Sequence, residues 1–192
     1  MLKKVRTYNL EIATANKFKP KENFAELIST KEVNKSTYIS FMMFVGVGLP
    51  YAWGERLLWN NEQWNTYQAN ENIYLYLGFK GNTLVGYFEL NRTDKLSIEI
   101  KFFGLLPEYT GQGLGGHFLS ATIDQCYKLG AEKVWLHTCE YDSPKALDNY
   151  KARGFEVVND YISEEFVPTR EKSIELTANF FRNYISTFEP KQ

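Results

Sequence analysis

Gly111, Gly113, Gly115 and Gly116 set four glycines within six residues, directly ahead of a helical apolar pattern, and this spacing suits an anion. A helix N-terminus offers unpaired backbone N–H groups and the positive end of aligned peptide dipoles, and glycine leaves both uncovered. The ligand predicted for such a loop carries phosphate. From Lys101 to Gly116 the order is strand, short turn, glycine loop, helix.

Spacing narrows the choice. A nucleoside triphosphate loop needs Lys-Ser or Lys-Thr after its last glycine, and here His117-Phe118 follows Gly116. A dinucleotide fingerprint is formally present in Gly111, Gly113 and Gly116, but its first glycine should leave the strand directly. Pro107-Glu108-Tyr109-Thr110 intervenes, and an antiparallel hairpin rather than an alternating βα unit precedes the loop.

A third reading rests on several motifs in order. A strand ends in a hydrophobe ahead of Pro107, Gly113 and Gly115 open a helix, another strand follows, and Ala146 and Tyr150 precede Gly154-Phe155. On these residues the segment from Ile73 to Val158 resembles the GNAT N-acetyltransferase superfamily. Gly104-Leu105-Leu106-Pro107, Trp135-Leu136-His137-Thr138 and Asn149-Tyr150-Lys151-Ala152-Arg153-Gly154-Phe155 are similar to an uncharacterised bacterial subgroup of it. The resemblance implies an α/β fold, with a central mixed, mostly antiparallel sheet and helices on both faces. It implies acetyl-coenzyme A as cosubstrate, no metal, and a small-molecule or peptide amine as acceptor.

Site residues follow from the same resemblance. The strand through Phe103 and Leu105 would pair by its backbone with the pantetheine arm. Thr110, Gly111, Gln112, Gly113, Leu114, Gly115 and Gly116 would hold the pyrophosphate. Two positions depart from the family pattern: Thr110 stands where Arg or Gln is usual, and the usual Asn before the last helix falls on Ser143 or, one residue earlier, Asp142. Backbone donors bind pyrophosphate whatever side chain precedes them, so binding is expected to survive.

Acetylating an amine needs two proton transfers. Glu99 matches the glutamate that some family members use as general base, and alternation turns it to the face opposite Ile98 and Ile100. Tyr150 matches the tyrosine that protonates the departing thiolate. His137 is an alternative base, Cys139 an alternative acyl carrier and Glu89 a further carboxylate, although each also suits a structural role. Tyr51, Trp53, Arg56, Trp59 and Trp64 would lie near the acceptor groove, and equally suit an aromatic core. The same fold without turnover would serve as an acyl-coenzyme A sensor or structural module.

Elements that must position these residues are legible in the periodicity. Val5 to Ile12 alternates as a first strand, and Ser36 to Gln68 reads as two aromatic helices broken near Gly46 to Pro50. Ile73–Phe79 and Leu84–Leu90 form a hairpin about Lys80-Gly81-Asn82-Thr83, and Leu96 to Leu106 is the strand entering the loop. A helix is expected from Gly113 to Leu129, a strand from Val134 to Cys139, and a helix capped by Ser143 with Pro144 at its first position. Glu156–Val158 and Tyr161–Val167 are expected as two strands. A terminal helix over 173–185 would bury Ile174, Phe181 and Ile185 and offers a surface for a homodimer.

Composition excludes several classes. At 192 residues, with 44% hydrophobic and 16% aromatic side chains, one core suffices and a single N-acetyltransferase domain over 1–192 is expected. Within it lie a core at 73–158, aromatic helices at 36–68 and a C-terminal helix. Twenty-two Lys and Arg balance 23 Asp and Glu without a charge block, so neither nucleic acid nor membrane is predicted as a partner. Cys126 and Cys139 stand alone, which argues against a disulfide framework or a zinc site. Met1 to Pro20 lacks the apolar run of roughly 7–15 residues of a signal peptide, so a cytoplasmic location is expected.

Overall fold

The computed structural model describes residues 1–188. Seven strands form one sheet in the order β2-β3-β4-β5-β6-β1-β7. They are β1 (Leu2–Ile12), β2 (Ser29–Val33), β3 (Ile73–Lys80), β4 (Thr83–Arg92), β5 (Ser97–Leu105), β6 (Lys133–Cys139) and β7 (Glu156–Phe166). The helices are α1 (Phe24–Leu27), α2 (Thr37–Gly48), α3 (Asn61–Ala69), α4 (Leu114–Lys128), α5 (Ala146–Ala152) and α6 (Arg170–Ser186). Among the described residues only β5 and β6 pair in parallel; the other pairings are antiparallel. This is the mixed, mostly antiparallel α/β architecture expected.

Each face of the sheet buries its own core. On one, Phe118, Leu119, Ile123 and Cys126 of α4 pack on Leu10, Ile98, Ile100 and Leu136. On the other, Phe41, Phe44 and Val47 of α2 and Trp64 and Tyr67 of α3 pack on Leu75, Tyr87 and Phe102. Strict alternation would put Phe102 beside Ile98 and Ile100. It does not, because β4–β5 registry passes from Leu90↔Ile100 to Glu89↔Phe102, leaving Lys101 as an extra residue. That bulge reverses the strand's faces just before the glycine loop.

Several expectations are corrected in detail. The segment Glu156–Phe166 is one continuous strand rather than two, held along its length by β1. α5 begins at Ala146, not after a Ser143 cap; Ser143 instead opens a turn in which its carbonyl accepts from Ala146 N–H at 2.8 Å. In α6, Ile174 is 53% and Ile185 61% exposed, so neither is buried. The helix docks through Leu176, Phe180 and Phe181, with Phe180 stacked on Phe41 at a ring separation of 3.5 Å. Short elements α1 and β2 were not foreseen.

Candidate active site

β5 and β6 hold together only at Ser97↔Lys133, Ile98↔Val134 and Glu99↔Trp135. Beyond Glu99 they separate, and the edge of β5 that faces β6 loses its partner over 100–105. A cleft of about 820 Å³ occupies the gap. Its walls include Phe103, Gly104 and Leu105 from β5, His137 and Cys139 from β6, and Ser143, Ala146, Asn149 and Tyr150 from the following turn and helix.

The glycine loop closes one end. Gly111 and Gly113 have φ of 75° and 78°, a left-handed backbone that other residues rarely adopt. Gly113 is the N-cap of α4 and no side chain caps it, so the first-turn N–H groups of Leu114, Gly115 and Gly116 keep their donor capacity. Thr110, Gly111, Gly113, Gly115 and Gly116 line the cleft. Leu114 is buried in the α4 core, and the Gln112 side chain donates to the Glu108 carbonyl at 2.6 Å; these two side chains take no part in the wall. The Thr110 hydroxyl donates to the Pro107 carbonyl at 2.8 Å, which tightens the turn.

Two residues not singled out as site candidates from the sequence, Asn149 of α5 and its C-cap Arg153, reach this loop. Asn149 donates through Nδ2 to the Gly115 carbonyl at 3.3 Å. Arg153 lies so close to Gly116 that a Cβ built there would be 2.5 Å from Nη1. Its Nε is buried without a hydrogen-bond partner, and burial lowers its pKa. A half-buried guanidinium beside an uncapped helix N-terminus fits an anionic group. The signal was available in the sequence, since Asn149 and Arg153 are four apart and share a helical face with each other.

Tyr150 is 8% exposed and borders the cleft, with its ring edge-on to Phe103 at 6.5 Å. Burial, helped by Asp142 and Cys139, raises its phenol well above the ordinary tyrosine value. A phenol raised in this way is protonated at neutral pH and has a hydrogen to donate.

Glu99 is buried at 5% exposure and does not reach the cleft wall. Its Oε1 lies 3.2 Å from His137 Nδ1, and its Oε2 accepts from Asn91 Nδ2 at 3.2 Å. Burial pushes this carboxyl up, but the His137 hydrogen bond, the Lys101 charge and Asn91 outweigh it and hold it below the usual carboxylate value. His137, not Glu99, faces the cleft.

The remaining candidates have structural partners. Burial, with Asp142 nearby, pushes the Cys139 thiol up to about 11, which leaves little thiolate at neutral pH. Asp142 accepts from Trp53 Nε1 at 3.1 Å, from Thr138 Oγ1 at 2.7 Å and from Cys139 N–H at 3.1 Å. Glu89 pairs with Arg56, Oε2 to Nη1 at 2.9 Å, and accepts from Tyr67 Oη at 2.6 Å; all three side chains are buried. Burial works against the Arg56 charge, and Glu89 more than restores it. Of the aromatic cluster, Tyr51 and Trp53 line the cleft, whereas Trp59 and Trp64 pack in the α2–α3 core. Among the described residues no group of three or more His, Cys, Asp or Glu side chains could hold a metal ion. No helix among them is long and apolar enough to cross a membrane.

Residues 37–155 match the sequence pattern described as "Acetyltransferase (GNAT) family". The chain belongs to the GNAT acetyltransferase family. It is similar to a mycothiol acetyltransferase of Corynebacterium aurimucosum, 35% identical over 63 residues, which are 33% of this chain and 20% of that protein. A functionally unknown conserved protein from Staphylococcus epidermidis shares the fold at a TM-score of 0.54 and 19% identity, over 86% of this GNAT chain and 64% of the other. A GNAT family acetyltransferase from Elizabethkingia anophelis, solved with acetyl-coenzyme A bound, does so at a TM-score of 0.53 and 22% identity, over 72% and 80%. The chain thus spans 20% of the mycothiol enzyme and just under two thirds of the staphylococcal protein.

Proposed function

We propose that this GNAT protein transfers an acetyl group from acetyl-coenzyme A to a primary amine by direct attack. The observation that carries the reading is the parting of β5 and β6 after Glu99, which leaves an unpaired strand edge leading to an uncapped glycine-rich helix N-terminus. An extended pantetheine amide chain can pair with that edge, and a pyrophosphate suits the N–H groups of 114–116 with the Arg153 guanidinium beside them. Arg153 would then supply the side-chain anchor that Thr110 does not. The thioester is what acetyl-coenzyme A supplies; the protein's part is to orient it and to move protons.

A primary ammonium of pKa near 10.4 must lose a proton before it can attack, a handicap of about 4.6 kcal/mol at pH 7. With Nδ1–H directed at Glu99, His137 keeps its Nε2 lone pair available on the cleft side, so it is the group suited to take that proton. Glu99 acts behind it, orienting the ring and stabilising the imidazolium. The amine nitrogen then bonds to the acyl carbon as the carbon–sulfur bond breaks. Tyr150 Oη donates a proton to the departing sulfur and is restored by the second proton that the nitrogen gives up, and His137 passes the first to solvent, so the products are an amide, free coenzyme A thiol and one proton.

Incubation with acetyl-coenzyme A and a panel of primary amines, followed by titration of free thiol, tests the reading. Amine-dependent thiol release is the expected result. Stoichiometric binding without release from any amine would make the protein a sensor, and absence of binding would remove both readings.

A further inference from the structure

The wall of the cleft carries a primary amine of its own. Lys101 borders it, on the strand whose free edge would receive the pantetheine arm. It is the extra residue of the β5 bulge, so no residue of β4 stands opposite it. Its ammonium is lightly held. Glu55 Oε2 lies 3.8 Å from Nζ, with 29% of the lysine side chain and 48% of the glutamate side chain exposed, and a pair of that kind is weak and exchangeable.

Position along β5 carries the argument further. Lys101 stands two residues from Glu99, whose Oε1 is 3.2 Å from His137 Nδ1, and two from Phe103, against which the Tyr150 ring lies at 6.5 Å. The acyl carbon has to sit between the group that takes the amine's proton and the group that protonates the sulfur. Lys101 occupies that interval of the strand, and its charge reaches Glu99, where it helps to keep the carboxylate ionised. Its long flexible stem lets Nζ move through the space in front of it. Lys145, the other lysine of the wall, belongs to a different element, as the N-cap of α5.

From this placement we propose that Lys101 is a self-acetylation site: with no acceptor in the cleft, the protein transfers acetyl from bound acetyl-coenzyme A to its own Lys101 Nζ. The proposal rests on the acetyltransferase reading. His137 takes one proton from Nζ, and the nitrogen bonds to the acyl carbon as the carbon–sulfur bond breaks. Tyr150 protonates the sulfur and is restored by the second Nζ proton, which leaves acetyl-lysine, coenzyme A thiol and one proton. Tethering holds this amine at an effective concentration that a dissolved acceptor does not reach. The step limits the enzyme, because a neutral amide then stands in the acceptor's place and both Glu55 and Glu99 lose a neighbouring cation.

The full chain, Lys101→Arg and His137→Gln are each incubated with acetyl-coenzyme A and no amine, and lysine acetylation is followed by peptide mass spectrometry. The expected result is one acetyl group on Lys101, gained at least about tenfold faster than on Lys145 or the exposed Lys95, and at a rate independent of protein concentration. His137→Gln should slow that gain at least about tenfold. Turnover of an amine added afterwards should fall in step with the modification in the parent. In Lys101→Arg, whose guanidinium keeps its charge and is a poor nucleophile, turnover should hold at that variant's own starting rate. Thiol release with added amines but no acetyl group on Lys101 would overturn the proposal and leave the acetyltransferase reading intact. So would modification of Lys101 no faster than of Lys95, or at a rate proportional to protein concentration. Absence of acetyl-coenzyme A binding, or of thiol release under every condition, would overturn both.

Discussion

His137 Nδ1 lies 3.2 Å from Glu99 Oε1, and of these two side chains the imidazole alone borders the cleft. Glu99 is bound on its other oxygen by Asn91, so its carboxylate is committed on both sides to holding its neighbours. In the mechanism we propose, the proton path therefore ends on a ring nitrogen. A carboxylate held below its usual value is a poor base by itself.

This arrangement fixes the sign of the pH dependence. Because the Glu99 carboxyl is held low, its ionised form and the stability it confers are complete above the ordinary carboxylate value near 4.5 and are lost as pH falls through the lower folded value. An acidic limb in kcat/KM above about pH 5 therefore does not come from Glu99. His137→Gln is expected to lower kcat about 100-fold or more. A kcat unchanged in His137→Gln would return the role of base to another group. Glu99→Gln should lower kcat less than His137→Gln, since the imidazole stays in the cleft and loses only the carboxylate that orients it.

Tyr150→Phe should lower kcat about 100-fold while acetyl-coenzyme A affinity stays within about a factor of two. Steady-state kinetics beside calorimetric binding separates the two quantities, and equal loss of both would make the ring structural. The raised phenol value predicts no alkaline limb from this residue below the ordinary tyrosine value of about 10.

Arg153→Gln should weaken acetyl-coenzyme A binding about 10- to 100-fold, the worth of one or two charge-assisted hydrogen bonds. Its buried, unpartnered Nε makes the unliganded protein no less stable without the charge. Binding unchanged by Arg153→Gln, measured by calorimetry, would disconnect this guanidinium from the phosphates. Thr110→Arg in that background is expected to recover part of the affinity.

The Arg56–Glu89 pair predicts a stability effect remote from the chemistry. Glu89→Leu alone strands a buried guanidinium and should cost about 3–5 kcal/mol in urea unfolding. Replacing both partners, Arg56→Met with Glu89→Leu, should recover much of the loss. A single variant as stable as the parent would mean that the charge relaxes into solvent.

Local signals in the chain were read well where one element suffices. Lys80-Gly81-Asn82-Thr83 specifies the β3–β4 hairpin because Gly81 takes a φ of 59°, and α4 follows its apolar period. Signals that depend on distant partners were not legible. Insertion of β1 between β6 and β7 joins residues more than 120 positions apart and leaves no local trace. The bulge at Lys101 is set by pairing with Glu89 and Leu90, not by the strand's own sequence. In α6 the apolar residues offer two faces, and stacking of Phe180 on Phe41 selects the one that leaves Ile174 and Ile185 outside.

Much the same holds for the site. The glycine loop is marked by its spacing and Tyr150 by the family resemblance, whereas the Glu99–His137 relationship arises from two strands that pair at Glu99↔Trp135 and then part. A glutamate and a histidine 38 positions apart carry no sign of contact until that registry is known.

A crystal structure with coenzyme A bound tests the central claim most directly. The account predicts pantetheine amides hydrogen-bonded to the free β5 edge within 100–105, pyrophosphate on the N–H groups of 114–116 with Arg153 in contact, and sulfur within hydrogen-bond reach of Tyr150 Oη. Coenzyme A bound elsewhere, or a cleft that stays closed to it at saturating concentration, would contradict the account.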